Sequence, residues 1–427
     1  LIENDFKPLI FSNNTTMEGK FIYECITCGK QYGSDQIIYL CHSCRASQIP
    51  GQPPAGILRV LYDYNEVKKR VGSYADLKKN RFLEILPYES NQSLPGLKIG
   101  QTPLYLQTHW GGSNLPYKLY LKDDSQNPTF SFKDRASAVV SAFARERGVK
   151  TLVAATTGNA GSSLAGICAA QGQKAIIMVP QSAPVAKLTQ VIMYGATLVP
   201  VKGTYDDAFD LSVEATNHFG WYNRNTGFNP LTIEGKKTVA LELLDQFEGR
   251  VPDHIFLPVG DGVVIAGVYK GYEDLMKLGF IDHMPVIVGV QSSGSDNLVR
   301  HLHTDIFKAT PSHTLADSIS VDIPRNFFMA KNFVKKYKGN IISVSDEQII
   351  EAAAELASNT GIFTEPASAA SFAGYQVYSR ENRIQPGSEN LVLLTGSGLK
   401  DLKSFATKAR IPEPVNPDIE SLKAFLK

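Results

Sequence analysis

Leu152-Val153-Ala154-Ala155-Thr156-Thr157-Gly158-Asn159-Ala160-Gly161-Ser162-Ser163 joins an unbroken apolar run to a hydroxyl- and glycine-rich turn, and a helix-period segment follows. Apolar runs of four or five residues bounded by such turns suit strands buried on both faces of a parallel sheet. The same unit recurs outward in both directions. Leu119–Leu121, Ala175–Val179, Ile255–Val259, Pro285–Val290 and Leu391–Leu394 are further short apolar runs separated by helical lengths of chain. This alternation predicts an α/β architecture. Val259-Gly260-Asp261-Gly262 and Leu394-Thr395-Gly396-Ser397-Gly398 also close strand-like runs with glycine turns. Ligands of open α/β sheets lie beyond the carboxyl ends of the strands, so three such turns are candidates for one shared crevice.

The 427 residues exceed one ordinary domain, which predicts two or three. An apolar fraction of 43% with 20% charged residues is that of a globular chain with a large core. Forty-three Lys and Arg against 42 Asp and Glu give a formal net charge of +1, so no global field draws nucleic acid or an anionic membrane, and an anion must be held by local groups. No apolar run approaches the roughly 20 residues that span a bilayer, and Leu1–Lys20 lacks the pattern of a signal peptide, so a cytoplasmic location is expected.

Four of the five cysteines lie in one short segment, as Cys25-Ile26-Thr27-Cys28-Gly29 and Cys41-His42-Ser43-Cys44, with twelve residues between the pairs. The spacing suits a closed tetrahedral thiolate site in a reducing compartment, and four thiolates leave no open position, so a zinc there is structural. Free thiols packed in a small module are the competing reading. Residues 18–50 are predicted to form this zinc-ribbon-like module, with a strand over Ile37-Ile38-Tyr39. Cys168, within an apolar helical face, reads as core filler.

Asn127-Pro128-Thr129-Phe130-Ser131-Phe132-Lys133-Asp134-Arg135 precedes the helical stretch Ala136–Arg147. A lysine at a helix entrance has its ammonium form disfavoured by burial and by the positive helix end, which favours a nucleophilic amine. By itself this segment reads first as a solvated surface lysine beside Asp134 and Arg135. In order along the chain, Pro-Thr-x-Ser-Phe-Lys-Asp-Arg, Thr-Gly-Asn, Pro-Val-Gly-x-Gly, Phe-Thr-Glu-Pro-Ala-Ser-Ala-Ala (residues 363–370) and Leu-Thr-Gly-x-Gly-Leu-Lys-Asp (residues 394–401) follow one another. This ordered set resembles the threonine synthases, pyridoxal-phosphate enzymes of fold type II, over about residues 20–405.

The resemblance implies two open α/β domains with the cofactor in the cleft. A small mobile domain would span 125–225, a large one 95–124 and 226–410, and an extension 411–427. It implies that Lys133 carries the cofactor as a Schiff base and shuttles protons, and that Asn159 meets the cofactor's 3-hydroxyl. Gly260, Asp261, Gly262, Val263 and Val264 would surround its phosphate, and Thr395 would face its pyridine nitrogen. Thr156, Thr157, Ser162, Thr232 and Lys236 would meet the substrate. The implied reaction converts O-phospho-L-homoserine and water to L-threonine and phosphate, in a homodimer. A neutral hydroxyl opposite the ring nitrogen favours elimination and replacement over transamination.

Two positions depart from the family pattern. Ala160 stands where a hydroxyl usually follows the cofactor asparagine, and Thr232 stands where Asn-Pro-x-Arg carries arginine. A phosphate dianion needs charge-assisted donors, and Lys236 and Lys237, a turn beyond Thr232, are the candidates to supply them. A carboxylate at Asp261, inside a phosphate turn, has no account from sequence. The rival readings are a serine or threonine dehydratase or other β-replacement enzyme, and a catalytically silent binding module.

Overall fold

The structure is a computed structural model that describes residues 19–156, 158–181, 185–304, 306–406, 408–409 and 411–426. Its largest sheet has six strands in the order Asn340–Val344, Val286–Ser292, His254–Pro258, Glu389–Leu394, Ser113–Asp123 and Leu104–Trp110. All neighbours are parallel except the last pair. A second sheet is wholly parallel, in the order Thr197–Val201, Lys174–Pro180, Thr151–Ala155 and Tyr222–Asn223. Each of the six apolar runs lies in one of these strands, and Leu119, Leu121, Leu152, Ile177, Ile255, Leu257, Ile287 and Leu391 are wholly buried. The chain is thus α/β, with helices packed on the faces of both sheets.

The helices begin and end where their sequences dictate. Lys133–Glu146 and Asn159–Gln171 start directly after turns, and Gly172, in the left-handed region at φ +65°, ends the second. Tyr205–Phe219 opens on a Thr204/Asp207 capping box, and Asp346–Thr360 on one from Ser345 and Gln348. Pro366 occupies the first turn of Pro366–Arg380, where its missing N–H costs nothing.

The cysteine segment forms an antiparallel three-stranded sheet, Gln31–Gly33, Ile22–Cys25 and Leu58–Leu61, so its last strand comes from beyond the Pro-rich stretch. The strand predicted over Ile37–Tyr39 does not form. These residues run as a connector, with Ile38 buried and the Tyr39 ring stacked 4.6 Å from that of Phe228. Tertiary anchoring of the side chains overrides the local β preference there. The last short helix, Ile419–Phe425, has no buried residue of its own.

Two features lock the elements around the cavity described below. The first is a buried ion network: Arg135 donates from Nε and Nη2 to Asp124 at 2.6 and 2.9 Å and from Nη2 to Glu242 at 2.8 Å, while Lys122 pairs with the same Glu242. Burial alone would raise the Asp124 and Glu242 pKa values, but the charge of Arg135, helped by Lys122, holds both below their ordinary range. The second is the crossing of helix Lys133–Glu146 with Leu231–Lys236, where a Cβ on Gly235 would lie 2.4 Å from the Arg135 carbonyl oxygen.

Because both carboxylates have depressed folded pKa values, their stabilisation is present above the unfolded pKa and is lost as pH falls through the folded one. Arg135→Met should cost about 3–5 kcal/mol at neutral pH in urea denaturation and flatten that acid dependence. An unchanged midpoint would show the network to be inert. Gly235→Ala should cost about 2 kcal/mol by overpacking, and a wild-type midpoint would mean that the two helices part without penalty.

Candidate active site

The carboxyl ends of parallel strands from both sheets face a cavity of about 500 Å³. Lys133, Thr156, Asn159, Lys236, Gly260, Asp261, Gly262, Val263, Val264 and Thr395 all line it, so three glycine turns far apart in sequence meet in one crevice. Thr157 lies outside the described residues.

Lys133 is the first residue of its helix, and its N–H donates to Ser131 Oγ at 3.2 Å. The preceding loop is tied to the end of strand Glu389–Leu394: Phe132 N–H donates to Thr395 O at 2.9 Å, and Ser397 N–H to Phe130 O at 3.2 Å. Burial pushes the Lys133 ammonium pKa down, opposed by Glu365 and Asp261 and reinforced by Arg224. That direction favours the neutral, nucleophilic amine.

The turn at Gly260–Gly262 opens the helix Val263–Leu278, and no side chain caps its first N–H groups. Gly262 is left-handed at φ +82°, and a Cβ there would lie 2.9 Å from that of Ala330. Backbone donors at a helix start, with glycine allowing close approach, form an anion cradle. Asp261 does not spoil it, because its Oδ1 accepts the Arg325 N–H at 3.2 Å, and its carbonyl accepts that of Asn326 at 2.9 Å. Burial raises the Asp261 carboxyl pKa, opposed by the Arg325 N–H and by the charges of Arg325, Lys236 and Lys133.

The two lysines after Thr232 separate cleanly. Lys237 is sealed behind the wall, paired with Glu234 at 2.5 Å and Asp274 at 2.7 Å. Lys236 faces the cavity, 1% exposed, with no hydrogen bond or ion pair among the described residues. Burial, then repulsion from Lys133 and Arg224, holds its ammonium pKa well below the usual lysine range. Two predicted substrate contacts are not on the wall. Thr232 is wholly buried, its hydroxyl donating at 2.7 Å to Asn229 O within its own turn. The Ser162 hydroxyl accepts from Lys400 Nζ at 3.0 Å, behind the Asn159 turn. The Thr232 bond, and that of the Ser162 hydroxyl to Asn159 O at 3.4 Å, are of the local kind that hydroxyl residues at helix starts commonly make.

Two residues carry charge here that motif reading left without a role. Arg224 is fully buried, donating from Nε to Ser137 Oγ at 3.2 Å and from Nη1 to Thr226 Oγ1 at 2.7 Å, while Nη2 has no partner among the described residues. Burial lowers its pKa to about 10. Its only advance signal is an arginine directly after an apolar strand end. Glu365, inside the quoted Phe-Thr-Glu-Pro motif, lines the cavity with both carboxylate oxygens 2.8 Å from Asn159 Nδ2.

Apart from this cavity, Cys25, Cys28, Cys41 and Cys44 bring their sulfur atoms within 4.8 Å of one another. Zinc–sulfur bonds of about 2.3 Å in a tetrahedron imply sulfur separations of about 3.8 Å. Cys25–Cys44 measures 3.8 Å and Cys28–Cys41 3.7 Å. Gly29 makes the tight knuckle at φ +74°, and the Thr27 N–H points at Cys25 Sγ from 3.4 Å. The four thiols therefore fit a structural zinc, and His42 is not among them.

The model of the family described as pyridoxal-phosphate dependent enzyme matches residues 96–396. Threonine synthase of Methanocaldococcus jannaschii is 35% identical, over 95% of this chain and 99% of its own. That of Methanosarcina acetivorans is 32% identical over 94% and 97%, and that of Halalkalibacterium halodurans 33% over 81% and 95%. Among solved structures, O-ureido-L-serine synthase superposes with a TM-score of 0.63 at 21% identity, over 77% of this chain and 96% of its own. Tomato (Solanum lycopersicum) threonine deaminase isoform 2 gives 0.59 at 23%, over 68% and 84%. Both are below 25% identity and carry the fold alone, which is that of the fold type II enzymes. The match of the family model over most of the chain, with near full-length relatives above 30% identity, shows that this chain belongs to the threonine synthase family of pyridoxal-phosphate dependent enzymes.

Proposed function

We propose that this chain converts O-phospho-L-homoserine and water to L-threonine and phosphate, with pyridoxal phosphate held in the cavity. The cavity fits that cofactor in three respects: a lysine with a depressed pKa, an uncapped helix start behind glycines, and a neutral threonine hydroxyl across the floor. Lys133 would hold the cofactor covalently, Gly260–Val264 its phosphate, Asn159 its phenolic oxygen and Thr395 its ring nitrogen. When bound, the cofactor supplies an electron sink for charge developing on the substrate's carbons. Lys133 Nζ would be the base that carries protons between those carbons. Thr156, beside Asn159 at the strand end, offers a hydroxyl to the substrate carboxylate.

The observation that carries the choice of substrate is Lys236, a second lysine on the cavity wall, buried and without a hydrogen bond or ion pair among the described residues, beside Lys133 and Arg224. A cavity serving only serine or threonine gains nothing from a second buried, unpaired lysine, whose desolvation is costly. A substrate phosphate dianion repays it. Lys236 thus takes the part that an arginine plays at the position of Thr232 in the family pattern. The chain would divide into a small mobile domain, 125–225, and a large one, 95–124 and 226–410. It would work as a cytoplasmic homodimer, closing the Asn159 turn over the substrate. No described helix is long and apolar enough to cross a membrane.

Side-by-side assay of O-phosphohomoserine, threonine and serine should give inorganic phosphate from the first and no 2-oxobutyrate from the second. The reverse pattern would reject the reading. Lys236→Gln should raise KM for O-phosphohomoserine about tenfold, corresponding to about 1.4 kcal/mol for a charge-assisted contact. Mass spectrometry under native conditions should find one zinc per chain. Cys41→Ser should abolish it and lower the unfolding temperature, whereas full metal-free stability in the wild type would assign the thiols to packing alone.

A further inference from the structure

Glu365 stands out among the charged groups of the cavity because it touches the residue that meets the cofactor and not the anion sites. It lies just before the helix Pro366–Arg380, 5% exposed, and its N–H donates to Gly396 O at 3.1 Å. A Cβ on Gly396 would sit 2.3 Å from Glu365 Oε1, so the carboxylate leans into space that only glycine leaves free. From there both oxygens reach Asn159 Nδ2 at 2.8 Å, and the Ser318 hydroxyl stands 3.4 Å from the same nitrogen. A carboxylate accepts and cannot donate, so the Asn159 amide can present only its nitrogen to Glu365. Its plane and its sense are therefore both fixed.

We propose that Glu365 is a positioning residue that locks the Asn159 amide against the cofactor's phenolic oxygen and holds a negative charge beside the nitrogen that Lys133 shares with the cofactor. The inference rests on the pyridoxal-phosphate reading of the cavity. The other charged groups facing that nitrogen are Asp261 from the glycine turn, Arg224 after strand Tyr222–Asn223, and Lys236 from its helix. Asp317, from the loop over the cleft, is the remaining carboxylate close to the Asn159 turn. Arg224 disfavours a proton on the nitrogen, and of the two carboxylates that oppose it Glu365 acts more strongly than Asp261. Gln in its place keeps the size, removes the charge, and lets two amides pair in either sense. Asp keeps the charge but withdraws it by one methylene from Asn159.

The test titrates the visible absorption of the cofactor-loaded protein against pH and measures cofactor affinity, in wild type, Glu365→Gln, Glu365→Asp, Asn159→Ala and the Glu365→Gln/Asn159→Ala pair. Removing a negative charge makes the protonated nitrogen less stable, so Glu365→Gln should move the titration midpoint to lower pH, and Glu365→Asp should leave it near wild type. Both should weaken cofactor binding about tenfold, the order expected of one charge-assisted contact. In the double variant the affinity loss should equal that of Asn159→Ala alone. A wild-type midpoint in Glu365→Gln, or affinity losses that add in the double variant, would overturn the proposal. Neither readout involves the substrate. A protein that behaves as expected here but releases no phosphate from O-phosphohomoserine would defeat the reaction assigned above and leave the role of Glu365 standing.

Discussion

The backbone bonds between residues 130–132 and 395–397 set the frame for everything else in the cavity. Phe132 N–H to Thr395 O, Ser397 N–H to Phe130 O and the bridge of Ser131 with Gly396 stitch an irregular loop to the end of a central strand. Lys133 follows at once, so the position of its amine is inherited from the sheet and not from a flexible connection. Glu365 joins through its bond to Gly396 O, and Thr395 is itself held by the Ser368 hydroxyl at 2.9 Å. A lysine whose ammonium is disfavoured by burial could escape to solvent if its backbone yielded. The stitching prevents it and keeps the depressed pKa.

Charge satisfaction distinguishes the architectural groups from the chemical ones. The chain buries Lys122, Arg135, Lys237 and Lys270, and each has a carboxylate within ion-pair distance. Asp124, Glu242 and Asp274 are held ionised by those partners. Among the described residues, Lys236 on the cavity wall has no hydrogen bond or ion pair, and Arg224, whose charge acts on it, leaves Nη2 without a partner. Uncompensated buried cations cost stability unless a guest anion repays it, so their clustering is a functional signal that a single such residue would not give.

Much of this was legible in the sequence because the signals were local or ordered. Short apolar runs with glycine turns give the strands and the crevice, Lys133 sits in a distinctive string, and the cysteine spacing specifies its own geometry. What remained hidden depended on tertiary partners. Nothing in Asn229-Pro230-Leu231-Thr232 tells that the hydroxyl of Thr232 turns back on Asn229 O, or that Lys236 and Lys237, adjacent in sequence, lie on opposite sides of a wall. The Ile37–Tyr39 run reads as a strand by composition, yet its side chains anchor in another element. Asp261 has no account from sequence, because its acceptor role toward the Arg325 N–H depends on a residue 64 positions away. Glu365 was inside a recognised motif, but a role in holding Asn159, 206 residues away, has no local trace.

The cysteine module gains a mechanical meaning from where it docks. Tyr62, just beyond its last strand, donates to Glu234 at 2.7 Å, and the ammonium of Lys237 lies 4.4 Å from the centre of the same ring. Tyr64 donates to Asp274 at 2.6 Å. Glu234 and Lys237 flank Gly235 and Lys236 on the helix wall of the cavity. On the other side, the Tyr39 hydroxyl accepts the Asn223 N–H at 2.9 Å, one residue before Arg224. The module therefore braces the backbone that carries Lys236 and Arg224. Two like charges held close together in a dry wall repel each other, and a brace behind them is what that repulsion requires. A metal far from the chemistry can serve catalysis in this way, by fixing the knuckles from which Tyr39 and Tyr62 extend.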